Sequence, residues 1–138
     1  MATKMYKGAD LHCYYQRNID WSKVAESNLE FFIVQISRGS DPLVKMVDGV
    51  QYRPDSQISG VRSIGRMLGG YHFCTATGGS PEEQAATFAG ELRRWCALDI
   101  PPMFDVEGSG GFDPRDLSTH QFVMRFYRAM GLLGFPMM

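Results

Sequence analysis

No stretch of this chain is apolar for long enough to cross a bilayer. The opening residues, Met1-Ala2-Thr3-Lys4-Met5-Tyr6-Lys7-Gly8, lack the apolar run of a secretory signal. Together these absences lead us to expect a soluble product made in the cytoplasm, with no membrane partner. A substrate outside the cell would then require release by other means. A dominant charge is lacking too: 14 Lys+Arg stand against 15 Asp+Glu, a formal net charge of -1. That leaves no electrostatic case for nucleic acid or for an anionic membrane surface. Cysteine is scarce and odd in number. Cys13, Cys74 and Cys96 have no metal-ligand spacing, which excludes a small disulfide scaffold and suggests buried free thiols. Internal repeats, low-complexity tracts and linkers are absent as well. With 138 residues, 44% hydrophobic and 21% charged, residues 1–138 are expected to form a single globular domain.

Short apolar runs alternate with longer stretches of helical period. Tyr6 to Leu11 reads as a strand, Trp21 to Ser27 as a short helix, and Phe31 to Ile36 as a buried, β-branched strand. Ile58, Val61, Ile64 and Leu68 recur at spacings of three and four, which predicts a helix over 54–68 ended by Gly69-Gly70. Tyr71 to Cys74 follows as a strand. Ser80-Pro81-Glu82-Glu83 combines a serine N-cap, a first-turn proline and a capping-box glutamate. Ala85, Phe88, Leu92, Trp95 and Cys96 should form the buried face of the helix that it opens. Pro101 to Val106 reads as a strand. Asp113-Pro114-Arg115-Asp116 resembles a second helix start, with Phe122, Val123, Phe126, Tyr127 and Met130 facing inward. Gly131 and Gly134 are stop signals, and Phe135 to Met138 reads as the start of a fifth strand. Such alternation implies a parallel α/β sheet, because parallel strands need crossover connections. Either an open doubly wound sheet or the first half of a barrel fits.

In parallel α/β folds functional groups gather at the carboxyl ends of the strands. Those ends carry Asp10, Ser37-Arg38, Tyr71-His72-Phe73 and Asp105-Val106-Glu107. Asp105 and Glu107 are two apart, so on a strand both side chains leave one face, roughly 6 to 7 Å apart. Two carboxyl groups sharing a cavity repel, and one pKa rises. Glycoside cleavage needs such a proton donor and a second carboxylate to stabilise the cationic transition state or activate a nucleophile. Asp105 capping a loop with Glu107 in solvent is the plain alternative, and a divalent-metal site on the same acids is another. Tyr14, Tyr15, Trp21, Tyr71 and Phe73 could offer flat faces to sugar rings, with Arg38 hydrogen-bonding the ring substituents. Taken singly, each aromatic is more often core. His72 by itself reads as a satisfied strand histidine, and His12 and His120 have no partner pattern.

Several segments occur in an ordered series: Gly8-Ala9-Asp10-Leu11-His12, Ile19-Asp20-Trp21-Ser22-Lys23-Val24, Phe32-Ile33-Val34-Gln35-Ile36-Ser37-Arg38-Gly39, Gly69-Gly70-Tyr71-His72-Phe73, Glu83-Gln84-Ala85-Ala86-Thr87-Phe88 and Pro101-Pro102-Met103-Phe104-Asp105-Val106-Glu107. In these the chain resembles the glycoside hydrolase family 25 lysozymes, the Chalaropsis-type muramidases common among phage endolysins. The resemblance implies a (β/α) barrel, here truncated after about four β/α units and the start of a fifth strand. It implies hydrolysis of the β-1,4 bond between N-acetylmuramic acid and N-acetylglucosamine in bacterial peptidoglycan, without a metal or other cofactor. By position, Glu107 would be the general acid, Asp105 its partner, and Asp10 a third carboxylate in the cleft. Tyr71, Phe73, Arg38 and Tyr14 would contact substrate. The later strands of the family, which bring a further active-site aspartate, have no counterpart here. A second chain or a homo-oligomer completing the barrel is therefore expected, or else an inactive fragment that serves as a cell-wall-binding module. A metal-dependent hydrolase built on Asp10, Asp105 and Glu107 is a third possibility, with His12 or His72 as ligand.

Overall fold

The structure is a computed structural model that describes residues 3–137. Its strands are β1 (Gly8–Leu11), β2 (Phe31–Arg38), β3 (Asp41–Pro42), β4 (Lys45–Val47), β5 (Val50–Tyr52), β6 (Met67–Phe73) and β7 (Met103–Asp105). Its helices are α1 (Trp21–Glu26), α2 (Asp55–Ser63), α3 (Pro81–Trp95) and α4 (Leu117–Leu132). The main sheet runs β1-β2-β6-β7 with every neighbouring pair parallel. β3 folds back antiparallel on the end of β2. The expected parallel α/β sheet is thus present, with β2 and β6 at its centre. β1 pairs only with β2, and β7 only with β6, among the described residues.

β2 is central because Phe32 through Ser37 are all buried, the signature of a strand covered on both faces. α3 begins as its sequence predicts. Ser80 Oγ accepts from the Glu83 amide at 3.1 Å, and Glu83 returns the bond to the Ser80 amide at 3.0 Å. Phe88, Leu92, Phe126 and Met130 of α3 and α4 are fully buried against the sheet. Burying each such side chain contributes about 1.5–3 kcal/mol.

Four expectations need correction. The helix expected over 54–68 stops at Ser63, and Leu68 and Gly69-Gly70 belong to β6. Gly65, at φ +66°, turns the chain into a left-handed cap in which the Arg66 amide bonds Val61 O at 3.3 Å. The spacing of Leu68 therefore matched a helix that had already ended. Asp113 to Asp116 form a turn before α4: Asp113 Oδ1 accepts from the Arg115 amide at 2.9 Å, and the Asp116 N-cap makes no side-chain bond. Cys96 is exposed at the left-handed end of α3, and Tyr127 is exposed on α4; Cys13 and Cys74 are buried. Finally, Phe135 to Met137 form no strand, while Met138 lies outside the described residues. Met137 instead tucks its side chain into the core.

The β4-β5 hairpin was not anticipated. Asp48 and Gly49 both take positive φ, 50° and 77°, the two-residue turn that matches strand twist. It follows β3 and rises beside the carboxyl ends of the main strands.

Candidate active site

Asp10 lies on β1, Arg38 ends β2, Tyr71 and Phe73 lie at the end of β6, and Asp105 ends β7. Glu107 stands two residues beyond β7 in extended backbone, φ -144° and ψ 169°. These six side chains line one cleft of about 700 Å³. The expectation that Asp105 and Glu107 share a strand fails in detail, since β7 stops at Asp105, but both acids face the same cavity.

Backbone contacts fix the acidic loop. The Cys74 amide donates to Asp105 O at 2.9 Å, which carries the β6-β7 pairing one residue past the strand. The Gly110 amide then returns to Glu107 O at 3.0 Å, and the Ala76 amide donates to Gly110 O at 2.8 Å. Residue 110 has to be glycine for this closure, because a Cβ there would sit 2.5 Å from Cys74 O. Ser109 Oγ donates to Glu107 Oε1 at 2.5 Å, restraining that exposed carboxylate. The Tyr71 hydroxyl donates to Gln35 Oε1 at 3.2 Å. The Arg38 guanidinium lies 4.4 Å from the centre of the Phe73 ring.

The electrostatics follow from burial and from the shared charges. Asp105 is half-buried, and its carboxyl is held above the ordinary carboxylate range, first by desolvation and then by the charges of Glu107 and Asp10. Burial, with Asp10 and Asp105 nearby, pushes the Tyr71 phenol well up, so it stays a neutral donor. Cys74, beneath the cleft, is pushed up to about 12 by burial and by Asp105, so it is no thiolate nucleophile at neutral pH. His12 also lines the cleft; burial, then Lys45 and Arg38, hold its imidazole below the usual value.

His72 points the other way. It is fully buried, with Nδ1 2.7 Å from Ser37 Oγ, Nε2 3.2 Å from Gln84 Oε1, and its ring stacked on Phe126. Both nitrogens are engaged, as expected of a satisfied strand histidine. Trp21 packs edge-on to Phe32 in the core cluster, away from the cleft. Tyr14 packs edge-on to Tyr15 and Tyr52, and of Tyr14 and Tyr15 it is Tyr15 that lines the cleft. Among the described residues, no group of three or more His, Cys, Asp or Glu side chains is arranged to hold a metal ion. No helix among them is long and apolar enough to cross a membrane. Sequence reasoning missed Ser109, Gln35 and Lys45. The Asp48-Gly49 turn signal would have pointed to the hairpin that carries Lys45, while nothing local marks the other two.

The family model for glycosyl hydrolases family 25 matches residues 12–131. The chain belongs to glycosyl hydrolase family 25. A search of curated proteins finds no match to this family 25 chain. Among solved structures it is similar to a muramidase from Acremonium alcalophilum, at 17% identity and TM-score 0.70 over 96% of this chain and 64% of that one. It is also similar to a family 25 glycosyl hydrolase from Bacillus anthracis, at 20% identity and TM-score 0.70 over 93% and 56%. A bacterial lysozyme from Streptomyces coelicolor matches at 18% identity and TM-score 0.67 over 95% and 59%. The family 25 chain thus spans less than two thirds of the length of these structures, and its parallel sheet corresponds to part of a (β/α) barrel.

Proposed function

We propose that this family 25 chain carries the catalytic residues of a lysozyme-type N-acetylmuramidase. The reaction is hydrolysis of the β-1,4 bond between N-acetylmuramic acid and N-acetylglucosamine in bacterial peptidoglycan, reached after release from the cell that makes it. One observation carries the reading: Asp10, Asp105 and Glu107, from the ends of β1 and β7, line a single cleft walled by Tyr71 and Phe73. Family membership supports it, and so do a muramidase and a lysozyme of the same fold.

Glu107 is the general acid. It is exposed in the cleft, so its free carboxyl oxygen can reach a glycosidic oxygen, while Ser109 holds the other. Asp105, whose carboxyl is held above its ordinary value by burial and by the charges of Glu107 and Asp10, stands where it can orient the substrate's N-acetyl group. Asp10 stabilises positive charge at the reacting carbon. Tyr71, Phe73 and Arg38 contact the glycan, with Tyr15 at the cleft where Tyr14 was expected; no cofactor enters the scheme.

Lysis of purified cell walls, followed by turbidity, tests the assignment. Glu107→Gln should lower the rate by at least roughly 100-fold, with chelator-resistant activity in the native chain. Lysis untouched by Glu107→Gln would overturn Glu107 as the acid.

A second reading rests on the open sheet. The outer edges of β1 and β7 are unpaired among the described residues. Between them Phe31, Ile33 and Phe104 line an apolar hollow of about 370 Å³. Free edges and apolar hollows favour association. In this reading further strands, from a second chain or a second copy, cover the hollow, and residues 1–138 alone bind cell wall without cleaving it. Native mass measurement tests the association; wall binding without lysis by the native chain would favour this reading.

A further inference from the structure

The cleft that holds three carboxylates also holds two cations with no salt-bridge partner among the described residues. Arg38 ends β2 and Lys45 opens the β4-β5 hairpin, and both line the cavity with Asp10, Asp105 and Glu107. Among the described residues neither takes part in a salt bridge, although the chain pairs Arg94, Arg115 and Arg125 with acids elsewhere. Lys45 is half-buried rather than waving in solvent. The Arg38 guanidinium lies against the Phe73 ring, which fixes its plane and leaves its in-plane N–H groups available. A third donor, His12, lines the same cavity. His12 Nδ1 accepts from the Tyr14 amide at 3.1 Å, so the neutral ring carries its proton on Nε2. Burial together with Lys45 and Arg38 keeps that ring neutral.

A concave site lined by unpaired cations concentrates anions, and a carboxylate there gains charge-assisted hydrogen bonds. Asp10, Asp105 and Glu107 share the cavity, but among the described residues none of them forms a salt bridge with Arg38 or Lys45, so both cations keep their hydrogen-bonding capacity.

We propose that Arg38 and Lys45, with the His12 Nε2–H, form a subsite for a carboxylate on the side branch of the glycan, the lactyl-peptide arm of the N-acetylmuramic acid unit. This rests on the muramidase reading above and extends it: the site reads the anionic branch as well as the sugar backbone. The hairpin is then a specificity element, and Lys45 is the residue that gives it selectivity.

The test is calorimetric binding to the Glu107→Gln chain, where hydrolysis does not interfere. Four ligands of equal glycan length are compared. One is a peptide-free N-acetylglucosamine–N-acetylmuramic acid oligosaccharide, with free lactyl carboxylates. The second bears peptides with free carboxylates, the third bears the same peptides amidated, and the fourth is an uncharged chito-oligosaccharide. A free-carboxylate ligand should bind about fivefold tighter than its neutral counterpart at low salt, and the gap should shrink as salt is added. Whichever of the first two ligands shows the gap identifies the lactyl or the peptide carboxylate as the source. Adding Lys45→Met should erase the gap, Lys45→Arg should restore it, and Lys45→Glu should invert it. Binding of all four ligands with equal affinity, or a gap insensitive to Lys45, overturns the subsite and leaves the muramidase reading standing. Failure to bind any of the four overturns both.

Discussion

Tyr71, His72 and Phe73 are consecutive on one strand, yet they serve two opposite environments. On the helix side, His72 has both nitrogens engaged, by Ser37 and Gln84, and is stacked on Phe126. Gln84 in turn gives its amide to Thr75 O and Gly79 O at 2.7 and 3.0 Å. On the cleft side, Tyr71 and Phe73 stand beside carboxylates and cations that have no ion-pair partner among the described residues. Polar groups inside the fold are spent on holding it together. Those in the cleft are left with capacity for something else. A strand alternates its side chains, so a single segment can do both at once.

The sharpest way to break this contrast is to remove one residue from each face. Glu107→Gln should reduce wall lysis by at least roughly 100-fold. Its unfolding free energy should stay within about 0.5 kcal/mol of the native chain, because the side chain is exposed. A large loss of stability would show that the cleft is structural after all. His72→Ala should do the reverse, costing about 2–4 kcal/mol in denaturant unfolding by opening a cavity and leaving the Ser37 hydroxyl without its partner. A change under about 1 kcal/mol would mean that the buried network is not holding the sheet to α3.

The same pair predicts how stability responds to acid. Burial lowers His72 from 6.5 to about 4, against the raising effect of Gln84. The unfolded chain therefore takes up a proton that the folded chain refuses. Stability attributable to His72 is intact above pH 6.5 and is lost as pH falls toward 4, on the order of 3 kcal/mol in all. Urea titrations across that window should show the decline, and a His72→Ala background should flatten it. An equal decline in both chains would place its origin elsewhere. A smaller effect concerns the cleft side. Neutralising Asp10 by Asp10→Asn removes one of the charges that hold the Asp105 carboxyl up. Its midpoint, followed by carboxyl-carbon NMR, should move down, and an unmoved midpoint would mean that the two acids do not sense each other. Least of all, Ser80→Ala should cost about 1 kcal/mol through the lost cap on α3, with lysis unchanged at temperatures where the chain is folded.

Much of this could be read from the residues alone. The apolar run Phe31 to Ile36 can satisfy its burial only as a covered strand, and Ser80-Pro81-Glu82-Glu83 contains every group its helix start needs within four residues. The strand-end acids were legible because a parallel sheet delivers its strand ends to one rim, so Asp10, Asp105 and Glu107 could be grouped without coordinates. Where local patterns compete, reading failed. Leu68 fits a helical stripe and a strand equally well, and the choice was made by a left-handed turn at Gly65. Asp113-Pro114 looks like a helix start, but its carboxylate bonds Arg115 instead.

What only the tertiary structure decided is the company each group keeps. Sequence spacing could not say that His72 faces Phe126 while its neighbours face the acids, or that Ser109 reaches back to Glu107. Nor could it place Lys45, on a hairpin inserted after β2, beside Arg38 and His12. Periodicity along one segment reports which residues share a face. It carries no information about which distant segment that face meets, because that contact is settled by the packing of the whole sheet and its helices.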